Sequence, residues 1–235
     1  MMLLQNYLFH IACRKDIAYL LIERFDRIIL KNTVTRVHQE DFCQALSVSS
    51  TKKYQNEGGP SFVNCFDLLT NTTQPAIDRN ALASAMVFNF LIGNCDAHGK
   101  NFSLLHHHSG ELSLSPLYDL VSTTFYPTLS TTMAMKIGDK YKMNDIDLTR
   151  WEKLCRQIQY NFPYLKRLIE QHCHAILNAL EKNNDFYTDT TKNPAFVDGF
   201  TKKLRANITR TLKNIQYQRV NKPLLTDCID PPYSG

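Results

Sequence analysis

Residues 80–92 are almost uniformly apolar, and this segment limits the folds open to the chain more than any other. Its small, aliphatic and aromatic side chains leave little polar face: Ala81, Leu82, Ala85, Met86, Phe88, Phe90, Leu91 and Ile92. The pattern predicts a helix buried on nearly every side, so the rest of the chain must enclose it. Asp78 is expected to cap the start of this helix, and Gly93 is expected to end it.

The composition provides enough apolar material for such a core. The 235 residues are 43% hydrophobic and 21% charged, as in a globular protein of one large or two small domains. The longest apolar run near the start, residues 17–22, is far shorter than the roughly 20 residues that span a membrane. The first residues do not resemble a signal peptide. Seven cysteines without a C-x-x-C pair favour reduced thiols and a cytoplasmic protein.

Hydrophobic periodicity and turn residues divide the remainder of the chain into short strands and longer helices. Strands are predicted at 7–12, 17–22, 27–30, 102–105 and 111–114, the first two forming a β-hairpin. Helices are predicted at 39–46, 164–182 and 196–219, in addition to the apolar segment. Residues 52–60 have the composition of a loop. Together these elements predict an α+β chain that is mainly helical.

The loop after the apolar helix carries the residues that most clearly indicate chemistry. It reads NCDAHGKN over 94–101, so Asp96 is followed five positions later by Asn101. This is the D-x-x-x-x-N spacing of a kinase catalytic loop. A carboxylate can accept the proton of an attacking hydroxyl, and an amide oxygen nearby can hold a metal ion without adding negative charge. Asp119, after one predicted hairpin, would supply a second metal-binding group.

Each of these features also has an ordinary structural explanation. A single Asp in a polar loop is commonly structural or solvated, and an Asn five residues later can cap a turn. Leu120 and Val121 follow Asp119, where many kinases carry D-F-G. It is the combination of a buried helix, Asp96, Asn101, a hairpin and Asp119 that favours a kinase-type site.

Several segments resemble the HipA-like serine/threonine kinases, which are the toxins of bacterial toxin–antitoxin modules. They occur in family order over roughly residues 17–140: IERFDR at 22–27, QEDFCQALSV at 39–48, KKYQNEGGP at 52–60, NCDAHGKNFSLL at 94–105, LSPLYDLVS at 114–122 and MAMKIG at 133–138. The resemblance implies a protein-kinase-like C-lobe with a remnant N-lobe hinge hairpin. The implied division is 1–36 for the remnant N-lobe hairpin and hinge, 37–222 for the helical C-lobe and 223–235 for a flexible tail.

The resemblance also implies ATP and Mg²⁺ as cofactors and a role for each matching residue. Asp96 would be the general base, and Asn101 and Asp119 would hold Mg²⁺. The remaining matches would lie along the nucleotide. Glu23, Arg24 and Phe25 would form the interlobe hinge that meets the adenine, with Gln39 nearby. His98, Gly99, Lys100 and Asn101 would lie along the phosphates, Tyr118 would lie beside the adenosine, and Asp119 would bind the nucleotide through the metal ion. The implied reaction transfers the γ-phosphoryl of ATP to a serine or threonine of a protein substrate, a class that includes aminoacyl-tRNA synthetases.

Kinases of this kind use a phosphate-covering loop and a lysine ahead of the hinge. In this chain the first glycine is Gly58, and the only lysine before Glu23 is Lys15. We therefore expect most of the N-lobe to be missing, and stand-alone activity to be doubtful. An antitoxin or an N-lobe partner protein is the expected partner, with DNA contacted only indirectly and no membrane.

Two alternatives remain open on the sequence. The chain could be a catalytically inactive pseudokinase or remnant, because the upstream glycines and lysine are lacking. It could also be an antitoxin- or DNA-binding module, because residues 200–222 carry seven basic residues and no acid: Lys202, Lys203, Arg205, Arg210, Lys213, Arg219 and Lys222. The solvated face of an amphipathic helix explains the same run. The histidines at 106–108 are expected in a solvated loop rather than in a metal site.

Overall fold

A computed structural model describes residues 9–14, 17–182 and 193–221 of the chain. Its strands are β1 (Phe9–Arg14), β2 (Ile17–Ile22), β3 (Arg27–Leu30), β4 (Thr33–Arg36), β5 (His38–Asp41), β6 (Ser103–His106), β7 (Leu112–Leu114), β8 (Thr132–Ile137) and β9 (Lys140–Lys142). Its helices are α1 (Phe42–Ala45), α2 (Phe62–Leu68), α3 (Pro75–Ile92), α4 (Leu148–Gln157), α5 (Phe162–Lys182) and α6 (Pro194–Asn221). The prediction of a mainly helical α+β chain is confirmed.

The strands pair only with antiparallel neighbours, and one sheet connects distant parts of the sequence. β1 pairs with β2, β3 with β4, and β8 with β9. The remaining sheet has the order β5-β6-β7, with Gln39 opposite Leu105 and Asp41 opposite Ser103. This pairing places the segment after β4 directly beside the strand that leaves the 94–101 loop.

Helix α3 lies at the centre of the hydrophobic core, as the sequence predicts. It packs against α5 and α6, and its residues from Leu82 to Val87 are almost completely buried. Phe90 near its end contacts Trp151 of α4 edge to face, with ring centroids 5.3 Å apart. Because the helix is enclosed by the other helices, the loop at its end has a fixed starting point.

The sequence predictions of two element boundaries are wrong. Helix α3 begins at Pro75 with Gln74 as its N-cap, and Asp78 lies inside the first turn. Proline fits the first helical position because its missing amide hydrogen is not needed there. Residues 39–41 belong to β5 rather than to a helix, since they pair with β6. Asp41 caps the short helix α1 by accepting a hydrogen bond from the amide of Gln44.

Other predictions concern the cysteines and the chain ends. The cysteines whose side chains the structure describes are free and buried: Cys43, Cys65, Cys95, Cys155 and Cys173. None of the described helices combines the length and apolar character needed to cross a bilayer. The tail predicted at 223–235 lies outside the described residues, as do residues 15 and 16 of the first hairpin turn.

Candidate active site

The loop after α3 begins at a position that accommodates only glycine without rearrangement. Gly93 has a φ of +74°, and a Cβ at this position would lie 2.1 Å from Oγ1 of Thr124. The carbonyl of Gly93 accepts a hydrogen bond from the amide of Thr124 at 3.1 Å. The end of the helix therefore touches the segment that follows Asp119, before the 94–101 loop has begun.

Thr123 makes a second connection between these two segments. Its Oγ1 accepts a hydrogen bond from the amide of Cys95 at 2.8 Å and donates one to the carbonyl of Gly93 at 3.2 Å. The residue is buried. These bonds fasten the start of the loop to the chain beyond Asp119.

Asn94 is the buried anchor of the loop. Its Nδ2 donates to Oδ1 of Asn89 at 2.8 Å and to the carbonyl of Asp119 at 3.0 Å. Its Oδ1 accepts from the amide of Asp96 at 3.1 Å. One side chain thus holds α3, the backbone of Asp96 and the backbone of Asp119. This role could not be predicted from the sequence, because an asparagine at a helix end has no distinctive spacing.

Asn101 connects the two predicted acidic residues, through the backbone of Asp96 and the side chain of Asp119. Its Nδ2 donates to the carbonyl of Asp96 at 3.1 Å and to Oδ2 of Asp119 at 2.9 Å. Asn101 itself is buried and lies in the single 3₁₀ turn Gly99–Asn101. Asp96, Asn101 and Asp119 therefore meet at one place, as the D-x-x-x-x-N spacing and the later acid predict.

Asp119 lies in an uncommon backbone conformation at this junction. Its φ is +55°, in the left-handed region that Asp tolerates better than most residues other than glycine. The side chain is exposed. The constraint from Asn94 on its carbonyl and from Asn101 on its carboxylate explains how this conformation is held.

The oxygen atoms at this junction suit a hard divalent cation. Mg²⁺ prefers carboxylate and neutral oxygen ligands, and in kinases it also binds phosphate oxygens. The Nδ2 of Asn101 is occupied by hydrogen bonds, which leaves its amide oxygen and Oδ1 of Asp119 for such an ion. No cluster of three or more His, Cys, Asp or Glu side chains that could hold a metal occurs in the part of the chain described. An ion here would thus depend on phosphate oxygens as well.

Asp96, the predicted general base, faces a cavity and is held by a tyrosine from a distant loop. The phenol of Tyr54 donates a hydrogen bond of 2.5 Å to Oδ1 of Asp96. Burial, and then this hydrogen bond, raises the pKa of Tyr54 to about 12, so the phenol keeps its proton. The cavity has a volume of about 540 Å³, and its walls include Glu57, Ser130 and Thr132. Tyr54 lies within the resembling segment at 52–60, but its role was not predicted.

His98 lies buried against the same carboxylate. Its Nε2 is 3.9 Å from Oδ1 of Asp96, and its ring contacts the Tyr54 ring edge to face at 5.3 Å. Burial lowers the pKa of His98, and Nδ1 is buried without a hydrogen-bond partner. The ring is therefore neutral at neutral pH. Its predicted place along the nucleotide phosphates stays a prediction.

Gly99 and Lys100 complete the loop in different ways. A Cβ on Gly99 would lie 2.7 Å from Cγ of Pro60 and 3.0 Å from Sγ of Cys43, so glycine is needed here for packing. The carbonyl of Lys100 accepts a hydrogen bond from the phenol of Tyr118 at 2.7 Å. Within the described residues, Lys100 has no ion pair with an acid. Its predicted place along the nucleotide phosphates stays a prediction.

Three of the predicted nucleotide-binding residues lie together although they are far apart in the sequence. The Tyr118 phenol is 2.6 Å from Oγ of Ser103, which accepts a hydrogen bond from Nε2 of Gln39 at 3.0 Å. The rings of Phe25 and Tyr118 are stacked, with centroids 6.0 Å apart and planes inclined by 28°. Ser103, which links Gln39 to Tyr118, was not predicted.

The predicted hinge residues Glu23 and Arg24 are exposed, and the buried carboxylate of Asp26 lies beside them. Arg24 donates two hydrogen bonds to the Asp26 carboxylate, at 2.8 and 2.7 Å, and Arg27 donates another at 2.5 Å. Arg36 is 3.9 Å away. The Arg24 hydrogen bonds hold the pKa of Asp26 below its usual range. The Arg24 side chain is thus engaged in an ion pair with Asp26.

Two histidines and the basic run of α6 make their contacts outside this site. Nε2 of His106 is 3.0 Å from a Glu40 oxygen, and burial lowers the pKa of His172 to about 4 beside Ser84. In the basic run of α6, Arg205 is 3.4 Å from Glu181. The side chains of Arg219 and Lys222 lie outside the described part of the chain. These contacts give the histidines structural partners.

A model of the HipA-like C-terminal domain matches residues 5–182 of the sequence. The chain belongs to this family. Among curated relatives, it is 40% identical to the kinase-like protein Y4mE of Sinorhizobium fredii over 199 residues, which are 81% of this chain and 47% of Y4mE. It is 37% identical to the serine/threonine-protein kinase toxin HipA of Shewanella oneidensis over 140 residues, which are 54% of this chain and 32% of that toxin.

Solved structures agree with this family membership. HipA in the Shewanella oneidensis complex of HipA, HipB and operator DNA has a TM-score of 0.80 and 27% identity, covering 91% of this chain and 53% of HipA. The Helicobacter pylori proinflammatory kinase CtkA shares the fold, with a TM-score of 0.52 and 12% identity over 92% of this chain and 78% of CtkA. The predicted HipA-type, protein-kinase-like C-lobe is confirmed. The chain spans half or less of the curated relatives' lengths.

Proposed function

We propose that this chain is the catalytic C-lobe of a HipA-like serine/threonine kinase that transfers the γ-phosphoryl group of ATP to a protein hydroxyl. The observation that carries the proposal is the pair of hydrogen bonds from Asn101, one to the Asp96 carbonyl and one to the Asp119 carboxylate. These bonds hold the backbone of Asp96 beside the carboxylate of Asp119. In the proposed reaction the Asp96 side chain would accept a proton and an oxygen of Asp119 would bind the metal ion, so the two groups are needed at one place.

In the proposed reaction, the acceptor hydroxyl attacks the γ-phosphorus while Asp96 takes up its proton. The bond from the γ-phosphorus to the bridging oxygen breaks, and ADP leaves with that oxygen. Asn101 and Asp119 would hold Mg²⁺, which would neutralise part of the phosphate charge. Lys100 adds a positive charge on the same loop, and the neutral His98 adds none.

The acceptor is expected to enter through the cavity of about 540 Å³ beside Asp96. This cavity is wide enough for a serine or threonine side chain with its flanking backbone. The nucleotide base would lie at the other group of residues, near Phe25, Gln39 and Tyr118. Base and acceptor would then approach the 94–101 loop from different elements.

The family relationship supports a wider setting, which we also propose. The chain would act in the cytoplasm as part of a toxin–antitoxin module, with an antitoxin protein as partner and DNA contacted only through it. Its protein substrate would be an aminoacyl-tRNA synthetase. A phosphate-covering loop and a lysine would come from an N-lobe beyond the residues in this sequence.

The test is radiolabel transfer from ATP to a synthetase by residues 1–235, alone and with an N-lobe fragment of Y4mE added in trans. We expect transfer to be slow without the fragment and to rise by about tenfold or more with it. Asp96→Asn should abolish transfer, because an amide cannot accept the proton. Asp198→Asn, which changes an exposed acid of α6, is the matched control. Transfer that survives Asp96→Asn would refute the assignment of the base.

A further inference from the structure

A second cavity, of about 470 Å³, lies apart from the candidate active site. It is lined by the end of α3, the segment after Asp119, the 3₁₀ turn Met143–Asp145 and α6. Asp96, Asn101 and Asp119 do not line it. The proposed phosphoryl transfer thus makes no use of this cavity.

The cavity walls carry an excess of positive charge. Lys142, Lys203 and Arg210 line it, against a single acid, Asp145. Within the residues that the structure describes, these three cations form no ion pair with an Asp or Glu. Hydroxyl groups, which can donate hydrogen bonds to an anion, line the cavity as well: Ser122, Thr124 and Thr131.

The guanidinium of Arg210 is held in place by neutral groups. One of its nitrogens donates to Oδ1 of Asn144, and another donates to Oδ1 of Asn207 at 2.8 Å. The Arg210 guanidinium is partly buried without a carboxylate to compensate its charge, and this burial lowers the pKa of Arg210. Two amides fix the orientation of the guanidinium and leave its full charge for another group.

The carbonyl groups at the end of helix α3 do not explain the position of the Arg210 guanidinium. These carbonyl groups would favour a nearby cation, but Asn207 satisfies them, donating to the carbonyls of Phe90 at 3.1 Å and Leu91 at 2.7 Å. Asn207 is therefore anchored to α3 and in turn orients Arg210. The arginine is left to face the cavity.

We propose that this cavity binds a phosphate group, either free phosphate or the phosphorylated side chain of a protein. A planar guanidinium with a fixed orientation matches phosphate oxygens well. Lysines and hydroxyls around it supply further charge and donors. A concave space of about 470 Å³ has room for a phosphate group and the side chain that carries it. A nucleic-acid backbone instead presents a row of phosphates along an open surface.

The site is tested on residues 1–235 by amide NMR titration with inorganic phosphate and with a peptide containing one phosphoserine, beside its unphosphorylated form. We expect saturable shifts at Thr124, Asn144 and Asn207. Arg210→Gln should weaken binding by about tenfold and Lys203→Gln by about threefold. Lys213→Gln, on the same helix but outside the cavity, should leave the affinity unchanged. Because Lys203 is exposed, Lys203→Gln should fold. Its effect on phosphate affinity tests the site if Arg210→Gln does not fold.

Three results would overturn the site. The shifts could fail to saturate with either phosphate probe up to about 10 mM, a concentration well above the dissociation constant expected of a specific site. Affinity could survive both cavity variants. Alternatively, shifts could centre on Lys100 and vanish in Lys100→Gln, which would assign the phosphate to the nucleotide site. Binding of free phosphate but not of the phosphopeptide would identify the small anion as ligand. A duplex DNA that binds where phosphate does not would point to nucleic acid and contradict the proposal.

Discussion

Tyr54 donates a 2.5 Å hydrogen bond to the carboxylate of Asp96 from a loop 42 positions earlier in the chain. That loop is itself fixed, because Oε1 of Gln55 accepts a hydrogen bond from the amide of Lys136 at 2.7 Å. Pro60 at its end packs against Gly99. The carboxylate oxygen that remains is the one free to receive a proton. Tyr54 is thus placed to orient the proposed general base.

If Tyr54 orients the base, Tyr54→Phe should lower kcat of the reconstituted kinase by about tenfold, since one hydrogen bond to a charged group is lost. KM for ATP should stay unchanged, because Tyr54 does not line the nucleotide end. Steady-state kinetics with wild type and variant measure both constants. Tyr126→Phe, an exposed tyrosine, is the control. A faster variant would mean that Tyr54 blocks the base instead.

Asp119→Asn should weaken the binding of ATP by about tenfold or more when Mg²⁺ is present, because the proposed metal ligand loses its charge. Asparagine tolerates the left-handed conformation that Asp119 adopts, so the backbone should persist. Calorimetry with and without Mg²⁺ separates metal from nucleotide effects. Equal affinities for both proteins in Mg²⁺ would contradict the role of Asp119.

Asn94→Ala should lower the free energy of unfolding by about 2 kcal/mol, since it leaves buried hydrogen-bonding groups of Asn89 and Asp119 without a partner. Urea denaturation followed by circular dichroism gives this value. Asn56→Ala, at an exposed position, should change it by less than about 0.5 kcal/mol. Similar effects of the two substitutions would show that the loop does not rely on Asn94.

Asp26→Asn should lower the free energy of unfolding by about 1–2 kcal/mol at pH 7, because three arginines lose their carboxylate. Because the pKa of Asp26 is lower in the folded state, its ionised carboxylate stabilises the fold at pH values above the ordinary carboxyl pKa of about 3.9. This stabilisation is lost as the pH falls through the folded-state pKa of Asp26. The difference between wild type and variant should therefore shrink below about pH 4. A difference that stays constant from pH 7 to pH 3 would exclude an ionised Asp26 as its source.

Local sequence patterns were sufficient for part of the site. The spacing from Asp96 to Asn101 and the glycine that ends α3 depend on adjacent residues, so both could be predicted from the sequence. The start of α3 could not be placed correctly from Asp78, because Pro75 already fits the first helical position. The strand at 39–41 depends on pairing with β6, a contact with no trace in the local pattern.

The residues that connect the segments of the site were harder to predict, because they too act through contacts that are distant in the sequence. Tyr54, Asn94 and Thr123 act through hydrogen bonds to partners distant in the sequence or to backbone groups. A polar residue at such a position looks like any other until the chain has folded. The family resemblance contained the Tyr54 segment but could not say what its phenol contacts.

The bonds that Thr123 makes to Cys95 and Gly93 have a kinetic consequence. They join the loop that carries Asp96 to the segment that carries Asp119, so the two should move as one rigid body during a catalytic cycle. Entry of ATP and release of ADP would then require displacement of other parts, such as the β3–β4 hairpin. The rate of that opening, rather than any change in the loop, would limit turnover whenever the chemical step is fast.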